Sequence, residues 1–79
     1  MSENLAVGQV LRDMRKTGNL SQEAFAELVG MQRSDIGQME RGKRTVSIHT
    51  LQRISKATGI PMWKIIRRAE LQNCTSLAQ

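Results

Sequence analysis

Arg33, Ser34, Gly37, Gln38 and Arg41 recur at spacings that put them on one side of a single helix, and Lys43 and Arg44 follow directly. An arginine fork matches O6 and N7 of guanine, and a glutamine carboxamide matches N6 and N7 of adenine. No carboxylate interrupts this side, so it suits an approach to phosphates and base edges. Lys43 and Arg44 suit neutralisation of phosphates, which carries no sequence information. Rival chemistry is poorly supplied. One histidine, His49, and one cysteine, Cys74, cannot build a metal centre or a nucleophile with its base. General acid–base residues do not cluster. No metal, cofactor or small-molecule ligand is expected, and an enzyme is the remote reading.

Such a face needs a helix beneath it and other helices to hold that helix in place. Ile36 and Met39 supply the buried side of a helix from about Arg33 to Glu40, stopped by Arg41-Gly42. Its N-terminus is weakly signalled, since Gln32 is a poor cap, although Asp35 in the first turn suits the helix dipole. Upstream, Ser21 caps a short helix whose Phe25, Ala26, Leu28 and Val29 face inward. Gly30 ends it in a turn suited to positive φ. An earlier helix carries Leu5, Val7, Val10, Leu11 and Met14 and stops at Lys16-Thr17-Gly18-Asn19. Ser47 caps a fourth helix with Ile48, Leu51, Ile54 and Ala57, closed by Thr58-Gly59. Pro61 opens a fifth, a favoured place for proline, carrying Met62, Trp63, Ile65, Ile66 and Ala69. Trp63 and Met62 are core by default, although the last helix carries enough apolar surface to pair with a second copy. Apolar residues recur at helical spacing and nowhere alternate strictly, so the expected fold is all-α, five helices in one domain. Its core spans about residues 5–70, and 71–79 either extend the last helix or fray.

The whole sequence has 79 residues, with twelve Lys and Arg against seven Asp and Glu, a formal net charge of +5. A chain of this size buries one modest core and commonly oligomerises. The charge favours a polyanion, either nucleic acid or an acidic membrane surface. No apolar run approaches the ~20 residues of a membrane span, and the N-terminus lacks the pattern of a secretory signal. The single Cys74 excludes an internal disulfide and suits a reducing compartment. A cytoplasmic protein is expected.

From Leu20 to Lys43 the order is a short helix, a turn opening on Gly30, and a second short helix, the helix-turn-helix arrangement. Here the sequence resembles the phage repressor and Cro family, an XRE-like and lambda-repressor-like group. The resemblance runs from about Val10 to Ala69. It rests on Leu20-Ser-Gln-Glu, the Val29-Gly30 turn, Ile36-x-x-Met39-Glu40-x-Gly42 and the late Pro61-x-Trp63. Met31 departs from it, standing where small hydroxyl residues are common. The resemblance implies that Gln32, Arg33 and Ser34 open the recognition helix toward base edges, with Gln38 one turn on. It implies phosphate contacts from Gln22 and from Arg41, Lys43 and Arg44, and a buried ion pair between Arg15 and Glu40.

The function implied is sequence-specific binding of double-stranded DNA by a transcriptional regulator. One short recognition helix contacts few base pairs, so a homodimer on a pseudo-palindromic operator is expected. Met62, Ile65 and Ile66 are the candidates for the dimer interface. Controller proteins of restriction–modification systems and Cro-like phage regulators match in size. An antitoxin whose main partner is a toxin protein is the alternative, although the tail after Glu70 is short for a toxin-binding segment. RNA binding is disfavoured by one Phe, one Trp and no Tyr, since single-stranded RNA is gripped by stacking.

Overall fold

The computed structural model describes residues 2–78, with side chains as far as Gln72. The Cys74 side chain lies outside the described ones. Five helices follow in order: α1 (Glu3–Thr17), α2 (Gln22–Val29), α3 (Arg33–Glu40), α4 (Ile48–Thr58) and α5 (Met62–Ala78). The all-α five-helix expectation is borne out. α5 continues through residues 71–78.

Local capping explains most of the boundaries. Ser2, Ser21 and Ser47 sit in extended backbone, and their hydroxyls accept from the amides of Leu5 (3.1 Å), Ala24 (3.0 Å) and Thr50 (3.1 Å). Each satisfies a donor that the first helical turn leaves unpaired. Gly30 stops α2 at φ 78°, and the following amide of Met31 reaches back to the Ala26 carbonyl at 2.8 Å. That left-handed closure is what turns the chain from α2 into α3. Gln32 is extended but makes no side-chain cap, as its residue type suggests.

The core is one cluster in which Phe25, Leu11, Ile36, Met39, Ile54, Ile65 and Val10 are fully buried. α1 lies along α5 and also crosses α3, while α2 packs on α3 and α4. The crossing of α1 over α3 is close. A Cβ on Gly8 would stand 2.0 Å from the Met39 carbonyl oxygen and 3.0 Å from that of Glu40. The backbone of α1 therefore rests directly on the end of α3, and only glycine permits it.

Two expected core residues, Leu28 and Trp63, are on the surface instead, 50% and 61% exposed, and Ile48 of the fourth helix is 59% exposed. Helical residues step by about 100°. On α2 the buried arc is held by Phe25, Ala26 and Val29, and Leu28 falls just outside it. Ile48 is the first residue of α4, beyond the reach of the core that takes Leu51 and Ile54. On α5, Ile65 and Ala69 point inward, Met62 and Ile66 are half-buried, and Trp63 stands further round the same arc. Ile65 is fully buried among its own chain's residues, so it is unavailable to a second subunit. Its place in the dimer interface is corrected on that ground.

Candidate nucleic-acid interface

α3 exposes Arg33, Ser34 and Gln38, with Arg41 just past its end. Together with Gln22 from α2 they line an open cleft of 260 Å³ whose floor includes Gly37. Gly37 is buried, and a Cβ there would meet the Arg41 guanidinium at 3.4 Å and the Gln22 carboxamide at 3.7 Å. The glycine thus keeps the middle of α3 low between two polar arms. Sequence spacing had put it on the polar side, but not as a floor.

Gln22 is oriented from below. Its Nε2 donates to Oε1 of Glu40 at 3.1 Å. A carboxylate only accepts, so the amide nitrogen must face Glu40 and the carboxamide cannot flip. One N–H and the carbonyl oxygen remain for other partners. Glu40 is buried and is itself held by Arg15, through Nε at 2.8 Å and Nη2 at 3.1 Å. Arg15 Nη1 also donates to the Leu20 carbonyl at 2.9 Å, at the entry to α2. The bond to Glu40 raises the arginine pKa above its ordinary value, against the opposing effect of burial. One polar chain therefore links α1, the start of α2 and the end of α3. Nothing in the sequence signals the Gln22–Glu40 bond, which the packing of α2 on α3 creates.

The remaining candidates lie apart. Gln32 does not line this cleft. It lines a neighbouring hollow with Glu23, Ala26, Glu27 and Met31, and Arg33 borders both. Lys43 and Arg44 lie in the α3–α4 loop, exposed. That loop is fixed at several points. The Lys43 amide bonds the Gln38 carbonyl at 2.9 Å, and Asn4 Nδ2 bonds Thr45 Oγ1 at 3.4 Å. Gly42, at φ 73°, lies so close to Leu5 that a Cβ would approach its Cα to 2.8 Å. The Arg44 guanidinium pairs with Asp35 of α3. On the far side of the turn, Arg53 of α4 donates to the Gly30 carbonyl at 2.9 Å and steadies the α2–α3 corner. No helix among the described residues is long and apolar enough to cross a membrane.

Known proteins share this arrangement. A helix-turn-helix family model matches residues 11–62. The chain is similar to the control protein C.SmaI of Serratia marcescens, 40% identical over 63 residues, spanning 80% of this chain and 75% of that one. It is also similar to the control protein C.BamHI of Bacillus amyloliquefaciens, 35% identical over 71 residues, 89% and 88% of the two chains. Among solved structures, the restriction–modification controller protein C.AhdI of Aeromonas hydrophila superposes with a TM-score of 0.77 at 35% identity, covering 82% of this chain and 98% of that one. The clp gene regulator ClgR of Corynebacterium glutamicum gives a TM-score of 0.90 at 23% identity, over 100% of this chain and 84% of that one, a likeness of fold. With its helical order, its turn at Gly30 and its polar α3 face, the chain belongs to the helix-turn-helix family of DNA-binding transcriptional regulators.

Proposed function

We infer that this regulator is a controller-type protein that binds a pseudo-palindromic operator as a homodimer in the cytoplasm, α3 of each subunit entering a major groove. The observation that carries the reading is the cleft in which Arg33, Ser34 and Gln38 meet Gln22 and Arg41. Arg33 and Gln38 have the donor and acceptor geometry for guanine and adenine edges. Gln22, Arg41 and Lys43 take phosphates on either side. Gln32 borders the neighbouring hollow beside Glu23 and Glu27 and reaches base edges from the opening of α3. The controller role is supported by similarity to C.SmaI, C.BamHI and C.AhdI over three quarters or more of each chain.

Dimerisation is supported by the unfilled side of α5. Met62 and Ile66 are half-buried and Trp63 is exposed, giving an apolar strip along one helix. A two-fold axis buries such a strip against its own copy. In dimeric helix-turn-helix proteins the half-sites then lie about 34–36 Å, or ~10–10.5 base pairs, apart. Selection of bound sequences from a random duplex pool tests the whole reading. A palindrome with that half-site spacing is expected; recovery of a single unpaired half-site contradicts the dimer, and no enrichment contradicts sequence-specific binding.

A further inference from the structure

The α3–α4 loop carries two neighbouring cations of unequal availability. Lys43 is exposed, and its ammonium has no partner among the described residues. Arg44 donates through Nη1 to Oδ1 of Asp35. Asp35 lies in the first turn of α3, where the helix dipole favours a carboxylate, and its side chain is 29% exposed against 48% for Arg44. The anion is the better fixed member of the pair. A guanidinium binds carboxylate and phosphate through the same N–H groups, so Asp35 and a DNA phosphate compete for Arg44.

We propose that Asp35 is a specificity-determining residue, which withholds Arg44 from the backbone of random DNA and yields it when α3 is seated in its operator. Non-specific binding rests on cations near phosphates with no fixed register. In that state the nearest anion to Arg44 is Asp35. Seating α3 fixes the loop against one phosphate, and the base contacts of Arg33 and Gln38 keep it there while the guanidinium changes partner. The pair therefore lowers affinity for the wrong DNA more than for the right DNA. This rests on the reading that the α3–α4 loop lies on the DNA backbone.

The test measures log K against log[salt] on two duplexes of equal length: one selected from a random pool, and its scrambled counterpart. Asp35→Asn keeps the side-chain shape and frees Arg44. It should steepen the slope on the scrambled duplex by about 0.9 and leave the selected duplex unchanged. The ratio of specific to non-specific affinity should fall. In an Arg44→Ala background the same substitution should alter neither slope. An unchanged scrambled-duplex slope in Asp35→Asn overturns the proposal. So does equal steepening without Arg44, which would trace to the carboxylate's own charge. Lys43→Ala separates the two levels. A slope flattened by about 0.9 there, with no effect of Asp35→Asn, sinks the Asp35 latch alone. No change in Lys43→Ala removes the loop from the interface and the proposal with it.

Discussion

The guanidinium of Arg15 on α1 grips the carboxylate of Glu40 at the end of α3 with two bonds, at 2.8 and 3.1 Å, and Glu40 in turn holds Gln22. The side chains are 12% and 4% exposed, so the pair is shielded from water. Arg15→Ala leaves Glu40 as a buried charge with only Gln22 beside it. The expected loss of stability is about 3–5 kcal/mol, read as a lower urea midpoint. Replacing both residues with apolar ones of similar volume should cost much less. An unchanged midpoint in the single variant would mean that the pair does not hold in solution.

Gly8→Ala is expected to be worse than a core truncation of the same size. Its methyl would stand 2.0 Å from the Met39 carbonyl, which belongs to the backbone of α3 and cannot rotate away. The strain should cost about 1–3 kcal/mol or more and tilt α3 outward. Thermal unfolding and affinity for the selected duplex should fall together. An alanine variant with wild-type melting temperature would show that α1 and α3 sit further apart than described.

On α5, Trp63→Glu, Met62→Glu and Ile66→Glu should give folded monomers with weakened operator binding, seen by sedimentation and circular dichroism. Ile65→Glu should instead unfold the protein, because Ile65 has no exposed surface. Three folded variants that all remain dimeric would exclude this strip as the interface.

These residues also mark what the sequence made legible. Ser21, Gly30, Ser47 and Gly59 bound their helices where expected, because capping depends on a residue and its nearest neighbours. The Arg33–Glu40 helix and its exposed Arg33, Ser34 and Gln38 followed from spacing alone. Spacing places Trp63 and Leu28 inward, yet both are exposed, since periodicity finds an apolar arc without saying how much of it a neighbour covers. Ile65 failed as an interface residue for the same reason. Gly8 carries no mark in the sequence, because a close backbone approach depends on a second helix far along the chain. The Gln22–Glu40 and Arg44–Asp35 bonds likewise join residues whose proximity only the packing of α2 on α3 and the return of the loop create.

If α3 reads base edges, Arg33→Ala must change which base pairs the protein prefers. Affinities of wild type and variant would be measured for the selected duplex and for every single-base change in one half-site. The wild type should lose about 1–3 kcal/mol at the base pair that Arg33 contacts. The variant should bind the selected duplex more weakly by a similar amount and become indifferent to that one position, while keeping its preferences elsewhere. A uniform loss across all duplexes, with the wild-type pattern of preferences intact, would make Arg33 a backbone contact and rule out base reading by it.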